Sequence, residues 1–253
     1  MTGTASGSDQ EQIARESGLS SLQKGLFGLV AFFIVIQPTF WFLETKMGVP
    51  HNIASSALVV LVVLTFVTAL TLPWLPLPDR RDRSRSDRLG AMIIVWVFIA
   101  LAPRFIWELP WLFFYDQIKK GVLNGSVWTY MWSPYLLGGD ARYLNGDPLV
   151  VTLEWIALFV GVFELYALVQ FFRNGKRFTS TQLSLIMGGM IVEVTLPAVY
   201  FGTEIANELG NVASPADLWI KFVLLNLLWC TMPLLTYFWG VRRLATQNLS
   251  VRF

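Results

Sequence analysis

Residues 90–115 read GAMIIVWVFIALAPRFIWELPWLFFY, a stretch that is apolar almost throughout and long enough to cross a lipid bilayer as a helix. A spanning helix needs about 20 consecutive, mostly apolar residues. The sequence therefore predicts an all-α, polytopic membrane helical bundle. The stretches that meet this requirement are residues 25–44, 53–75, 90–115, 149–172, 181–204 and 217–240.

The composition agrees with a membrane protein and argues against several other classes. Of the 253 residues, 55% are hydrophobic and only 14% are charged, whereas soluble domains carry about 25% charged residues. The net charge of +2 gives no basic footprint for nucleic acid. A single cysteine, Cys230, and a single histidine, His51, exclude an intramolecular disulfide framework and a cysteine- or histidine-rich metal site. Because no phosphate loop or dinucleotide fingerprint is present, we predict no cofactor and no metal.

Basic residues are distributed unevenly between the connections, which predicts the orientation of the chain. Arg and Lys are concentrated in the N-terminal tail, in the connection DRRDRSRSDR (79–88), around residues 173–177 and in the C-terminal tail. Cytoplasmic loops are enriched in these residues, so six spans with both termini cytoplasmic fit the pattern. The membrane would be the endoplasmic reticulum in a eukaryote and the plasma membrane in a bacterium. The predicted parts are a polar disordered tail (1–24), two N-terminal transmembrane helices (25–75), a core (90–240) and a cytoplasmic tail (241–253).

The third connection, residues 116–148, is longer than the others and rich in glycine and aromatic residues. Trp128, Tyr130, Trp132 and Tyr135 could form an aromatic belt at the membrane interface. Long loops in compact domains are also often functional, so the same residues could form a lid over a pocket in the bundle. The sequence leaves both interpretations open.

Five ionisable residues lie inside the predicted spans: Arg104, Glu108, Glu154, Glu164 and Glu193. Such residues are expensive at bilayer depth and indicate function by default. Arg104 and Glu108 are four residues apart, which predicts a pair on one helix face. Glu108 and Glu154 lie on successive, antiparallel spans, so we predict that they share one cavity. Carboxylates beside aromatic faces in a dry cavity would suit a ligand ammonium or a transient carbocation.

Several aromatic and polar residues accompany this predicted acidic site. Asn226 and Trp229 are three residues apart on the last span and share a face, and an Asn inside a span needs a partner. The aromatic candidates on the other spans are Phe105, Trp107, Trp111, Phe113, Trp155, Tyr200 and Phe201.

Spaced motifs between residues 90 and 240 carry a family resemblance. They are Gly-Asp-x-Arg-Tyr at 139–143, Glu154 at the start of the next span, Tyr-Phe-x-Thr-Glu at 200–204, and Asn-x-x-Trp at 226–229 followed by Pro233. In order and spacing the chain resembles the emopamil-binding protein family (EXPERA domain), which includes the sterol Δ8–Δ7 isomerases. The resemblance implies a five-helix bundle with a cavity open toward the membrane, to which one extra N-terminal helix would be added.

The resemblance also implies roles for particular residues. In the isomerases, acidic residues stabilise a sterol carbocation that positively charged drugs mimic, and Glu108 and Glu154 inherit those positions. With Arg104 beside them, they form the expected catalytic set. The expected substrate-binding residues are Asn226, Trp229, Asp140, Arg142, Tyr143, Phe105, Trp111, Tyr200 and Glu204.

Two positions depart from the family pattern. A histidine that serves in proton transfer in the isomerases is replaced here by Arg104, and Leu196-Pro197 replaces a Gly-Asp pair. Arg is effectively always protonated and is therefore a poor proton donor or base.

Three functions stay open on the sequence. The first is an isomerase of a sterol or isoprenoid double bond, acting by protonation and deprotonation through a carbocation. The second is an acid-triggered terpenoid cyclase, and the third is a non-catalytic membrane protein that binds sterols, lipids and amines. The expected partners are an apolar lipid-like substrate, cationic amphiphilic amines and the lipid bilayer, with no nucleic acid. Formation of a homodimer is left open.

Overall fold

The computed structural model describes residues 20–77 and 81–252, so residues 1–19 of the predicted disordered tail lie outside the described part. The described residues contain helices and no strand, and six helical segments are long and apolar enough to cross a membrane. The predicted fold class of a polytopic helical bundle is therefore confirmed. The first to sixth spans are Ser21–Thr45, His51–Trp74, Arg85–Phe113, Pro148–Arg173, Ser180–Ala206 and Pro215–Ala245.

Polar caps and prolines set where the spans begin. Ser20, Ser84 and Thr179 each form a capping box with the first turn of the helix that follows. Their hydroxyls accept backbone N–H groups that have no partner inside the helix. Asp147 does the same for the fourth span, which opens with Pro148, a residue suited to a first helical position because it has no N–H to satisfy.

Two spans are interrupted by a π turn, at Arg104–Glu108 in the third span and at Leu218–Leu224 in the sixth. A further π turn, Tyr135–Gly139, lies in the third connection. Single π turns inside helices occur frequently at functional sites.

The helical segments in chain order are Ser21–Thr45, His51–Thr71, Leu72–Trp74, Arg85–Pro103, Arg104–Glu108, Leu109–Phe113, Tyr115–Leu123, Val127–Trp132, Tyr135–Gly139, Ala141–Asn145, Pro148–Arg173, Ser180–Ala206, Pro215–Asp217, Leu218–Leu224 and Leu225–Ala245.

The third span is central to the bundle. It packs on the second, fourth and sixth spans, and the fifth span packs between the fourth and the sixth. The first span packs on the second span and on residues 127–132, and most of its surface is exposed. Because lipid tails are as apolar as the helix surfaces, close packing rather than water exclusion holds such a bundle together.

The third connection folds back into the bundle. Tyr130, Trp132 and Tyr135 are buried, whereas Trp128 is 56% exposed. The Tyr130 hydroxyl donates a hydrogen bond of 2.8 Å to Glu44 at the end of the first span. Burial raises the pKa of Tyr130, and so does this carboxylate, so the phenol stays a neutral donor. The connection is thus a packed part of the bundle, and Trp128 alone among these four has the exposure expected of an interfacial belt.

The C-terminal tail covers one end of the bundle. The Phe178 amide donates to the Leu249 carbonyl at 3.0 Å, and the Val251 amide donates to the Lys176 carbonyl at 3.0 Å. These bonds fasten the tail to the connection between the fourth and fifth spans, on the side where the basic residues are concentrated.

Candidate functional site

A largely apolar cavity of about 750 Å³ lies within the bundle, lined by residues of all six spans and of the third connection. Ligand sites typically have volumes of about 300–1,000 Å³. Some wall residues are also exposed on the outer surface: Phe27 is 61%, Val30 56% and Ile106 55% exposed. Part of the cavity wall therefore also lies on the outer surface of the spans, and an opening toward the lipid stays a prediction.

Glu108 and Glu154 both line this cavity. Their carboxyl groups are close enough to form a hydrogen bond with each other. Glu108 Oε2 is buried and has no donor group as a partner within the described residues. The structure thus brings together the two carboxyl groups that the sequence placed on neighbouring spans. Among the described residues neither forms an ion pair, although Arg104 is near enough to attract both electrostatically.

Tyr143 positions the second carboxyl group of this pair. Its hydroxyl donates a hydrogen bond to Glu154, and its ring packs edge-on against Trp107 with the centroids 5.3 Å apart. Burial raises the pKa of Tyr143 well above its usual value, and the neighbouring Glu154 raises it further. The phenol therefore stays neutral and continues to donate to Glu154.

Arg104 does not pair with Glu108, so that prediction was wrong. Within the described residues its guanidinium binds Glu164 of the fourth span and Glu193 of the fifth. Two carboxylates from other helices occupy the guanidinium N–H groups. The backbone from Arg104 to Glu108 is moreover a π turn, whereas the expected i,i+4 contact assumes an α-helix.

Two glycines make room for this arginine cluster, which we define as Arg104, Glu164 and Glu193. A Cβ atom at Gly161 would lie 2.8 Å from Arg104 Cδ, and one at Gly189 would lie 2.0 Å from Glu164 Oε1. Glu193 also lines the cavity, whereas Glu164 does not. The arginine cluster therefore crosslinks three spans directly beside the cavity wall.

The Gly-Asp-x-Arg-Tyr and Tyr-Phe-x-Thr-Glu motifs bind each other behind the cavity. Arg142 forms a 2.7 Å ion pair with Asp140 and a 3.4 Å pair with Glu204, and it donates to the Thr203 hydroxyl at 3.0 Å. Its guanidinium also lies 4.6 Å from the centre of the Tyr200 ring. The two motifs thus clamp the third connection to the fifth span.

A chain of hydrogen bonds leads from this clamp to the cavity wall. The Tyr200 hydroxyl donates to Asp140 at 2.5 Å, and the hydroxyls of Tyr200 and Tyr135 lie 2.8 Å apart. The Asn226 amide donates to Tyr135 at 3.2 Å, which gives this intramembrane amide the partner it needs. The chain fixes the wall residues Tyr135, Tyr200 and Asn226 relative to one another.

The structure divides the expected site residues into two groups. Those on the cavity wall are Arg104, Glu108, Glu154, Tyr143, Tyr200, Asn226 and Trp229. Those that do not line the cavity are Phe105, Trp111, Asp140, Arg142 and Glu204. Asp140, Arg142 and Glu204 belong to the clamp, Trp111 packs edge-on against Tyr143 at 5.1 Å, and Phe105 packs against a buried hydrophobic cluster of the bundle.

Three further wall residues were not assigned to the site from the sequence: Trp107, Tyr135 and Glu193. Trp107 and Tyr135 were noted only as aromatic residues, and Glu193 only as a buried charge. The Trp107 and Tyr135 rings pack edge-on at 6.0 Å. Their positions in the sequence could have indicated that two of them belong to the site. Trp107 directly precedes Glu108, and Tyr135 begins the π turn that leads into the Gly-Asp-x-Arg-Tyr motif.

The described residues contain no group of three or more His, Cys, Asp or Glu side chains arranged to hold a metal ion. The side chains of the cavity wall can transfer protons through carboxyl groups and stabilise positive charge through carboxylates and aromatic faces.

Comparison with known proteins agrees with the motifs. The family model of the expanded emopamil-binding protein superfamily, EXPERA, matches residues 127–239. The 3-beta-hydroxysteroid-Delta(8),Delta(7)-isomerase of Rattus norvegicus is 24% identical over 192 residues, which cover 75% of this chain and 76% of that protein. The protein of the same name from Cavia porcellus is 22% identical over 199 residues, covering 77% and 82%. The resemblance to the emopamil-binding protein family is confirmed, although Arg104 and Glu108 precede the residues that the family model matches.

Proposed function

Given this family resemblance, we propose that the chain is a membrane-embedded isomerase that moves a carbon–carbon double bond in a sterol or a related isoprenoid. The observation that carries the proposal is the pair of carboxyl groups, Glu108 and Glu154, in a largely apolar cavity between membrane-spanning helices. An apolar substrate would enter from the bilayer and meet the acidic pair inside. The rat and guinea-pig relatives are named as 3-beta-hydroxysteroid-Delta(8),Delta(7)-isomerases, which supports a sterol as the substrate class.

Glu108 and Glu154 would share one proton. Two carboxylates at hydrogen-bonding distance in an apolar site repel each other strongly, and a hydrogen bond between them needs a hydrogen atom. The protonated group donates to one alkene carbon, so that a C–H bond forms, the π electrons are consumed and a carbocation results. A carboxylate then removes a proton from a different adjacent carbon, and the electrons of that C–H bond form the new double bond. The pair ends with one proton, as it began.

Aromatic faces would stabilise the cation between these two steps. Trp107, Tyr135, Tyr143 and Trp229 line the cavity together with the carboxyl pair, and their ring faces attract positive charge. Tyr143, held neutral, keeps Glu154 in place through its hydroxyl. A cationic amphiphilic amine would occupy the same position, because an ammonium resembles the transient cation.

Arg104 would act as a positioning residue rather than as a proton carrier. Its guanidinium is occupied by Glu164 and Glu193, and arginine does not release its proton in proteins. The arginine cluster fixes the third, fourth and fifth spans, and two of these carry Glu108 and Glu154. Asp140, Arg142 and Glu204 would act in the same indirect way, by clamping the connection that carries Tyr135 and Tyr143.

The spans make this a multi-pass membrane protein, and we extend the proposal to its orientation. Arg81, Arg83, Arg85, Arg242 and Arg243 lie at one end of the bundle, where the third span begins and the sixth ends. Cytoplasmic ends of spans are enriched in such residues. Both termini and this basic end would therefore face the cytoplasm.

A conversion assay tests the proposed function. The purified protein in lipid nanodiscs is incubated with a Δ8 sterol and, separately, with linear isoprenoids, and products are identified by mass spectrometry and NMR. We expect the double bond of the sterol to move to an adjacent position, with no change in mass. A cyclised product from a linear isoprenoid would favour the cyclase, and sterol binding without any turnover would favour the non-catalytic carrier.

A further inference from the structure

A second cavity, of about 500 Å³, lies at the basic end of the bundle, where the second and sixth spans end and the third begins. Arg85, Arg242 and Arg243 line it together with Trp74 and Trp239. No aspartate or glutamate of the described chain lines it. The cavity is therefore rich in hydrogen-bond donors and in positive charge, and it is separate from the cavity that holds Glu108 and Glu154.

The buried charge of Arg243 is not neutralised by an ion pair within the described residues. Arg243 is 6% exposed, and its guanidinium donates to the carbonyls of Asn248 and Ser250 at 3.2 and 3.3 Å and to the Ser86 hydroxyl at 3.3 Å. All of these acceptors are neutral. Arg85 and Arg242, both exposed, form no ion pair in this part of the chain either.

Asp87, in the first turn of the third span, is bonded elsewhere. It attracts Arg243 electrostatically, but its oxygen accepts hydrogen bonds from the Ser84 amide at 3.3 Å and the Ser84 hydroxyl at 2.8 Å. Three guanidinium groups line the cavity and no described carboxylate does, so within the described residues the cavity keeps an excess of positive charge.

The first turn of the third span adds backbone donors. The Ser84 hydroxyl accepts the Asp87 amide at 3.1 Å, which leaves the amides of Arg85 and Ser86 without an acceptor in the described residues. Both residues line the cavity. The N-terminus of a long helix favours anions through these amides and through the helix dipole.

The indole of Trp239 provides an independent indication that something binds here. Trp239 is 6% exposed, and its Nε1 is buried without a hydrogen-bond partner in the described residues. Buried polar groups in folded proteins nearly always have a partner. Because Trp239 lines the same cavity as the three arginines, a ligand with acceptor oxygens would supply one.

We infer that this cavity binds the phosphate group of an anionic phospholipid. Basic pockets between helices on the cytoplasmic side of a membrane bind such headgroups. Trp74 and Leu75, at the end of the second span, are 40% and 44% exposed, so the lipid chains can run from the cavity onto the apolar outer surface. A free phosphate has the same oxygens but gains nothing from this adjacent surface.

Native mass spectrometry of the purified protein with added phosphatidylglycerol or phosphatidylcholine tests the site. The variant Arg85→Gln/Arg242→Gln removes two exposed charges without breaking an ion pair within the described residues. The matched control, Arg173→Gln/Arg177→Gln, removes two exposed charges between the fourth and fifth spans, outside the cavity. We expect phosphatidylglycerol to bind the wild type in preference to phosphatidylcholine. The cavity variant should weaken this binding at least about tenfold, and the control less than about threefold.

Three outcomes would overturn the inference: no preference for phosphatidylglycerol, equal losses in the two double variants, or displacement of the lipid by millimolar inorganic phosphate alone. The second would indicate diffuse attraction to a basic surface, and the third a site for a soluble anion. The variant Trp239→Phe, which keeps the ring but removes the N–H, should weaken binding several-fold while Arg88→Gln at the same membrane end, outside the cavity lining, does not. Thermal melts of every variant identify any loss that comes from misfolding.

Discussion

The fourth span carries two glutamates, Glu154 and Glu164, in different surroundings. Glu154 lines the cavity, accepts a hydrogen bond from the Tyr143 hydroxyl and lies beside Glu108, and neither carboxyl group forms an ion pair in the described part of the chain. Glu164 lies away from the cavity and binds Arg104, which also holds Glu193. Both residues are buried in the same helix.

On the proposed mechanism, this contrast distinguishes a carboxyl group that transfers a proton from one that holds helices together. A carboxylate paired with a guanidinium is stabilised as an ion and has little tendency to exchange its proton. Two carboxyl groups that face each other without a cation hold a proton between them and can transfer it. If the proposal is right, the partner of each carboxyl group, and not its burial alone, distinguishes the proton-transfer site.

The largest expected effect is on turnover. Glu154→Gln removes one member of the proton-sharing pair while keeping its size, so we expect isomerisation to fall by about 10²–10⁴-fold, the usual contribution of general acid–base catalysis. The matched control is Glu164→Gln in the same span, which should change turnover by less than about threefold because it leaves Arg104 paired with Glu193. Rates are measured on a Δ8 sterol, with folding checked by thermal melt. Equal losses in the two variants would show that the two glutamates do not differ in function.

The next effect is on stability. Arg104→Gln leaves two buried carboxyl groups without their cation, and breaking a buried pair costs about 3–5 kcal/mol. We expect a lower melting temperature in detergent, and recovery of much of the loss in Arg104→Gln/Glu164→Gln/Glu193→Gln, where the arginine cluster no longer carries a charge. A single variant as stable as the wild type would contradict a structural role for the arginine cluster.

A smaller effect is expected on the binding affinity for amines. Apolar tertiary amines should bind in the cavity, and Glu154→Gln should weaken binding at least about tenfold, or roughly 1.4 kcal/mol. Glu164→Gln again serves as the control and should leave affinity unchanged. Competition with a labelled amine gives both values, and unchanged affinity in Glu154→Gln would count against an acidic pocket.

The smallest expected effect is on turnover, when the hydrogen bond from Tyr143 to Glu154 is removed. Tyr143→Phe removes one hydrogen bond, with a net value of about 0.5–1.5 kcal/mol, so turnover should fall by roughly two- to twelve-fold. Tyr115→Phe is the matched control, because its hydroxyl donates to the Leu144 carbonyl at 2.6 Å and the residue does not line the cavity. A loss of equal size in both variants would point to general damage to the third connection.

Much of the fold could be predicted from the sequence because spans depend on local composition. Runs of apolar residues mark the six spans, and antiparallel neighbours bring Glu108 and Glu154 to adjacent helices. Arg104 shows where this reasoning fails, since its partners lie 60 and 89 residues further along the chain. Which of several buried carboxylates reaches one guanidinium depends on helix packing and on Gly161 and Gly189, which leave the space.

The aromatic residues that line the cavity also could not be placed from the sequence alone. The hydroxyls of Tyr135 and Tyr200 meet across 65 positions of sequence, and no local pattern predicts that contact. The family motifs gave Asp140, Arg142, Tyr200 and Glu204 as site residues, but they did not distinguish a residue that lines the cavity from one that clamps the wall from behind.

Solvent deuterium incorporation tests most directly whether the Glu108–Glu154 pair transfers a proton to the substrate. The protein is equilibrated in D₂O so that the shared proton is exchanged, and the sterol product is examined by NMR and mass spectrometry. The proposed mechanism predicts one deuterium bound to a carbon of the former double bond with wild type and Glu164→Gln, and labelled product formed at least about 10²-fold more slowly by Glu154→Gln. An isomerised product without deuterium from the wild type, or labelled product formed at the wild-type rate by Glu154→Gln, would contradict it.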